Sequence, residues 1–307
     1  MNNEQRGLRS SGERQPRLLA VDVDGTLLDP DGVLRPTVKA AIAAVRSAGV
    51  TVMLATARSH RGTRTIASEL GLEGPQLTMN GALFGSPLTG RVEWARRLPE
   101  NEFHEHLAFA RQLGLAATAC FAEGFAIEHS KTTDEPQRLP SFASLGLRRV
   151  VRLEDVATQG PIRTFLSTPS DSHSRTLRAA RSHFGGRASV VWADREGLEL
   201  MLPRTSKGHG LRTVALSMGL RRADVAAIGD GPNDLEMLAW AGRSAAMANA
   251  PANVRQVASL VVPSSADDGI VVALRRFFPD VAFDTVGQRD AIHSPRVALA
   301  GQIRPAA

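Results

Sequence analysis

The sequence predicts an α/β protein, a buried parallel sheet with helices between its strands, interrupted by an inserted α+β domain. Three observations carry that reading. Short apolar runs alternate with helical spacing near the start, the texture changes in the middle, and the alternation returns afterwards.

Leu18, Leu19, Ala20, Val21 and Val23 make a short apolar run, as expected of a strand covered on both faces. Over residues 37–48, Val38, Ile42 and Val45 fall on one helical face and Gly49 supplies the stop. Residues 50–55 read as a second strand, 66–70 as part of a short helix and 76–79 as a third strand. Between 85 and 190 the pattern is mixed: helical at 102–113, strand-like at 116–127, polar at 130–144, strand-like at 162–167 and helical at 172–184. Strand, helix and strand then follow at 225–228, 233–240 and 260–262. The expected division is a polar tail at 1–16, an α/β core at 17–84 and 191–279, an inserted domain at 85–190 and a second tail at 280–307.

A chain of 307 residues exceeds what one hydrophobic core usually supports, which agrees with two domains. Its lone cysteine, Cys120, is expected to be a buried small side chain. No apolar stretch approaches the ~20 residues that span a bilayer, and the first residues lack the apolar segment of a signal peptide, so a cytoplasmic protein without a membrane partner is expected. The formal net charge of +6 is dispersed, with Arg6, Arg9, Arg14, Arg17, Arg289, Arg296 and Arg304 at the ends of the chain. Without a basic stripe, nucleic-acid binding is not expected.

Four segments carry chemistry. Asp22-Val23-Asp24-Gly25-Thr26 closes the first strand, where open α/β sheets bind ligands. Strand alternation would bring Asp22 and Asp24 to one side, and two anions that close call for a hard cation such as Mg²⁺. Taken alone, the pair also fits a surface turn, a helix cap or a nucleotide-sugar metal motif. It does not fit a calcium loop, because the sixth position is Leu27 and the twelfth Val33.

Leu54-Ala55-Thr56-Ala57-Arg58 leaves the second strand with a hydroxyl and backbone N–H groups suited either to a phosphate oxygen or to a helix cap. Lys207 opens a helical pattern in a chain whose other lysines are Lys39 and Lys131. A cation there opposes the helix dipole and needs a reason, which a pair of anions would supply. Gly229-Asp230-Gly231-Pro232-Asn233-Asp234 again places acids just past a buried strand.

In this order the four segments resemble the signature motifs of the haloacid dehalogenase superfamily. Met79-Asn80-Gly81-Ala82 and residues 198–203 are similar to its Cof-type sugar-phosphatase subfamily, with a type IIB cap. The resemblance covers residues 17–277. It implies a Rossmann-like core with the cap inserted between the second and third motifs, and a Mg²⁺-dependent phosphatase acting on a small phosphorylated metabolite. Asp22 would be the nucleophile and Asp24 the general acid and base. The metal would be held by the carboxylates of Asp22 and Asp230, the Asp24 carbonyl, and Asp234 directly or through water. Thr56, the Ala57 amide, Lys207 and Asn233 would hold the phosphoryl oxygens, with Arg58 and Asn80 as candidate substrate contacts.

A phosphomutase of the same superfamily is the alternative, and a non-catalytic phosphate-ligand or nucleic-acid binder a more distant one. Two alanines, Ala57 and Ala248, replace glycines usual in the subfamily, which is tolerable where φ is negative. Cap residues His104, His106, Glu123, His129 and Lys131 are expected at the surface, and neither substrate identity nor oligomeric state is legible.

Overall fold

The computed structural model describes residues 15–128, 146–168, 171–193 and 197–283. Both expected tails lie largely outside these residues, as do His129 and Lys131. The core is a five-stranded sheet in the order β14-β13-β12-β1-β2, every pair parallel. Its strands are β1 (Leu18–Val21), β2 (Thr51–Leu54), β12 (Val225–Gly229), β13 (Arg243–Met247) and β14 (Leu260–Val262).

The sheet divides the core into two apolar layers. Leu19 and Val21 point into one and Leu18 and Ala20 into the other, the two-residue period of a strand buried on both sides. The first layer takes Val38, Ile42 and Val45 from helix Pro36–Ser47 and Ile270, Leu274 and Phe277 from helix Gly269–Phe277. The second takes Leu211 and Val214 from helix Lys207–Ser217 and Met237 and Leu238 from helix Leu235–Trp240. Each fully buried leucine contributes about 2 kcal/mol of transfer free energy, so these layers fix the sheet.

From β1 the chain proceeds outward to β2 on one side, whereas β12, β13 and β14 step away on the other. The direction of winding therefore reverses between β1 and β12, where an open sheet leaves a crevice beyond its carboxyl ends. Register places Val21 beside Ile228 and Leu54, so the residues after all three strands share one rim.

Strands β3 (Gln76–Thr78), β4 (Leu83–Gly85) and β5 (Val92–Ala95) form a small antiparallel sheet, joined to the core by a parallel bridge between Ala55 and Leu77. The cap is a six-stranded sheet in the order β10-β11-β9-β6-β7-β8. It contains β6 (Ala116–Phe121), β7 (Gly124–Glu128), β8 (Leu147–Val150), β9 (Arg163–Ser167), β10 (Ser189–Ala193) and β11 (Gly197–Met201). The expected boundary at 190 therefore falls inside a strand of this sheet, because β11 is paired with both β10 and β9. The boundary at 85 falls at the end of β4, before β5 pairs back onto it.

Helices Glu100–Gln112 and His173–Phe184 cover one face of the cap sheet. His106 is not at the surface as expected. It is 2% exposed, its Nδ1 lies 3.0 Å from the Thr164 hydroxyl, and burial pushes its pKa down to about 4. Cys120 is buried and free, as the sequence predicts. Among the described residues no helix is long and apolar enough to cross a membrane.

Candidate active site

Asp22 follows β1 directly, its backbone N–H donating to the Ile228 carbonyl at 2.9 Å. Lys207, the first residue of its helix, is 1% exposed and donates from Nζ to Asp22 Oδ1 at 2.6 Å and to Asp234 Oδ1 at 2.7 Å. Those two anions are what seats a cation at a helix N-terminus. Burial works against the ammonium, but Asp22 and Asp234 hold its pKa above the ordinary lysine range.

Carboxylate oxygens of Asp22, Asp230 and Asp234 lie within 4.8 Å of one another. Burial, then the charge on Asp234, push the Asp22 carboxyl well above the usual carboxylate range, against the pull of Lys207. Asp230 is raised to about 6, chiefly by burial, with Asp234 adding to the rise and the Thr26 hydroxyl opposing it. When all three are ionised, three carboxylates against one ammonium leave two negative charges in a desolvated pocket. An all-oxygen donor set with that excess suits a hard divalent cation.

The parts of this cluster differ in freedom. Both Asp234 oxygens are occupied, Oδ1 by Lys207 and Oδ2 by the backbone N–H groups of Asp230 and Gly231 at 2.9 Å each. Asp234 thereby shapes the loop and anchors the lysine. Asp230 is held by the Thr26 hydroxyl at 2.8 Å and by Asn249 Nδ2 at 2.9 Å, and Asn249 also donates to the Gly25 carbonyl. Thr26 and Asn249 were not among the expected site residues. No local pattern marks them, although each lies in or beside a segment that the resemblance singles out.

Asp24 does not converge with Asp22. Extended geometry ends at Asp22, and Val23–Leu27 folds into a tight turn in which Gly25 has φ +75°, so the two-residue alternation no longer applies. The Asp24 side chain is 55% exposed and accepts two bonds from Arg58, from Nε at 2.8 Å and Nη2 at 2.6 Å. Its carboxylate is outside the metal-grade cluster among the described residues.

The turn also depends on Gly25. A Cβ there would stand 2.3 Å from Asp230 Oδ2, on a backbone that disfavours side chains. Gly25→Ala is expected to cost about 1–3 kcal/mol of stability and to lower turnover at least about tenfold by displacing Asp230. Urea unfolding and initial rates check this, and wild-type values for both would show that the turn adapts.

Thr56 is fully buried, and its hydroxyl oxygen accepts the Arg58 backbone N–H at 3.1 Å. The Ala57 carbonyl accepts from Arg163 Nη1 of the cap sheet at 3.0 Å. Neither Ala57 nor Ala248 has positive φ, so the missing glycines leave no strain. Asn233 Nδ2 donates to Asn80 Oδ1 at 2.9 Å, and Asn80 Nδ2 donates to Glu199 Oε2 at 2.6 Å. Asn80, expected as a substrate contact, is instead 2% exposed with both ends of its amide engaged by protein.

The family model of the haloacid dehalogenase-like hydrolases matches residues 19–274. An HMP-PP phosphatase of Serratia proteamaculans is 28% identical over 234 residues, covering 76% of this chain and 84% of that protein. The pyridoxal phosphate phosphatase YbhA of Escherichia coli is 26% identical over 266 residues, covering 83% and 96%. Among solved structures, the HAD subclass IIB sugar phosphatase BT4131 superposes with a TM-score of 0.69 at 20% identity, over 85% of this chain and 98% of that one. With its parallel core, inserted cap sheet and buried lysine between carboxylates, the chain belongs to the haloacid dehalogenase-like hydrolases.

Proposed function

We propose that the protein is a Mg²⁺-dependent phosphatase that hydrolyses a small phosphomonoester through an aspartyl-phosphate on Asp22. The observation that carries this reading is the buried Lys207 bridging Asp22 and Asp234 beside Asp230. It holds a carboxylate at a strand end, desolvated but charge-compensated, as an oxygen nucleophile requires.

An Asp22 oxygen attacks phosphorus and the bond to the leaving oxygen breaks. Asp24 gives that oxygen its proton and then takes one from the water that cleaves the acyl phosphate, returning free phosphate and the Asp22 carboxylate. To reach the leaving oxygen, the Asp24 carboxyl group leaves Arg58 and takes from solvent the proton that it then delivers, which frees the guanidinium for the substrate's anionic group. Thr56, the Ala57 amide, Asn233 and the remaining Lys207 N–H hold the phosphoryl oxygens as charge redistributes. Asp22 and Asp230, with the Asp24 carbonyl and with Asp234 directly or through water, would hold Mg²⁺. The cation would neutralise the excess charge, allowing a carboxylate and a phosphate to approach.

A phosphate-release screen over sugar phosphates, nucleotides, pyridoxal phosphate and flavin mononucleotide tests the reading. One phosphate per ester consumed, with no bisphosphate activator, separates hydrolysis from phosphomutase chemistry. Activity is expected to vanish in EDTA, to return with Mg²⁺ and to be inhibited by Ca²⁺, whose looser coordination misplaces the nucleophile. Full activity in EDTA would remove the metal from the mechanism.

The metal-free protein carries a pH signature. Asp230 is raised in the fold from an ordinary 3.8 to about 6, so its contribution to stability is present below about pH 4 and lost as pH rises through 6. Added Mg²⁺ is therefore expected to raise the melting temperature more at pH 7 than at pH 5. Equal shifts would detach Asp230 from the metal.

A further inference from the structure

Met79, Asn80 and Gly81 have φ of 52, 55 and 84° in succession. A left-handed methionine costs about 1 kcal/mol or more and persists only where its surroundings hold it. What this turn presents is the Asn80 amide, set between Glu199 and Asn233. A carboxylate accepts hydrogen bonds and cannot donate them. Glu199 therefore fixes which end of Asn80 faces it, leaves Asn80 Oδ1 toward Asn233, and so selects the Nδ2 end of Asn233.

Glu199 is oriented in turn. It lies opposite Phe165 in the cap sheet, two residues from Arg163 on the neighbouring strand, so both side chains leave the same face. Arg163 pairs with Glu199 through Nη1 and donates to the Ala57 carbonyl from the same atom. Two side chains of the cap thus reach both core loops that flank the reaction centre.

Stability alone does not account for the arrangement. Arg163 is 6% and Glu199 3% exposed, and a buried ion pair is often no more stabilising than apolar residues of the same size. Arg163 Nε is moreover buried with no oxygen acceptor, and the Cys120 thiol opposite it in the sheet gives the guanidinium only a weak sulfur partner. Cys120, opposite Arg163 in the sheet, and Phe165, two residues on along the same face, both belong to an apolar cluster, so the ion pair borders a greasy surface and not a polar network.

We propose that Glu199 and Arg163 are positioning residues, through which the cap sheet sets the direction of the Asn80 and Asn233 amides and the placement of the Ala57 loop. The inference rests on the reading that Asn233 holds the phosphoryl group.

Glu199→Gln, which can present either end of an amide to Asn80, is the test. With p-nitrophenyl phosphate, kcat is expected to fall about tenfold while KM changes less than about threefold. Adding Asn80→Ala to Glu199→Gln is expected to cost nothing beyond Asn80→Ala alone, because the two act through one chain. Independently of turnover, the side-chain amide protons of Asn80 and Asn233, followed by ¹⁵N NMR, are expected to lose their protection from solvent exchange. If Glu199→Gln leaves Arg163 uncompensated and does not fold, the charge-balanced Arg163→Met/Glu199→Gln protein replaces it in all three measurements. Additive losses in kcat, or an Asn233 amide still protected, would overturn the proposal. A wild-type protein that releases no phosphate from any ester would sink the phosphatase reading instead, and the amide signals alone would then decide the role of Glu199.

Discussion

Asp22→Asn is expected to reduce turnover by about 10⁴-fold or more and to leave no phosphorylated enzyme, while the melting temperature stays within a few degrees of wild type. The side chain keeps its shape, and the asparagine Oδ1 can still accept from Lys207, which also retains Asp234. Removing a carboxylate that burial and Asp234 already disfavour relieves repulsion in the metal-free protein. What disappears is the nucleophilic oxygen. Initial rates, mass spectrometry of enzyme quenched in acid and a thermal melt check the three parts. Turnover within tenfold of wild type would end the assignment of Asp22.

Lys207→Met is the complementary case, with large effects on both stability and rate. It leaves Asp22, Asp230 and Asp234 crowded together with their buried counter-charge gone. Breaking a buried pair from one side costs about 3–5 kcal/mol. The loss is expected at pH 8 and should shrink toward pH 5. Asp22 and Asp230, already raised in the fold, would lose the ammonium that opposes the rise and be protonated there, and a raised folded-state pKa gives stability that fades as pH rises. Turnover is expected to fall about 10³-fold, since the variant also removes a donor to the phosphoryl group. Urea unfolding at the two pH values, with and without Mg²⁺, provides the measurement. A variant as stable as wild type at pH 8 would show that the cluster is solvated more freely than its burial indicates.

The core strands were legible because a run buried on both faces has a local signature, as in Leu18–Val21 and Val225–Gly229. Nothing in Arg243–Met247 announces a strand. Its sequence is one serine and two alanines between an arginine and a methionine, and pairing with β12 and β14 decides its conformation. Helix Gly269–Phe277 did carry a signal, Ile270, Ala273, Leu274 and Phe277 at helical spacing, blurred by Val271 and Val272 on its other side.

The acids and the lysine of the site were legible for the same local reason, since each sits just past a strand or at a helix start. The link from Asn80 to Glu199 was not, because those residues are 119 apart and neither belongs to a pattern that points at the other. Asp24 illustrates the opposite error. The alternation that holds inside β1 does not reach Asp24, three residues past Val21, and the turn at Gly25 sends the carboxylate to Arg58.

The middle position of β1 has a consequence for how the molecule is made. Its neighbour on one side, β2, follows soon after, but its neighbour on the other is β12. Thr26 and Asp230, bonded to each other across that boundary, are 204 residues apart, and Lys207 lies 185 residues beyond Asp22. A nascent chain leaving the ribosome therefore carries an exposed apolar strand edge, and a carboxylate lacking its lysine, through synthesis of the whole cap. The cap sheet has all its strands by Met201, before the core sheet can close. Contacts of such long range are slow to form, and the interval is one in which an open sheet edge invites association. The three acids can thus come together only after the lysine that tolerates them has been made, because Asp230 and Asp234 follow Lys207 in the chain.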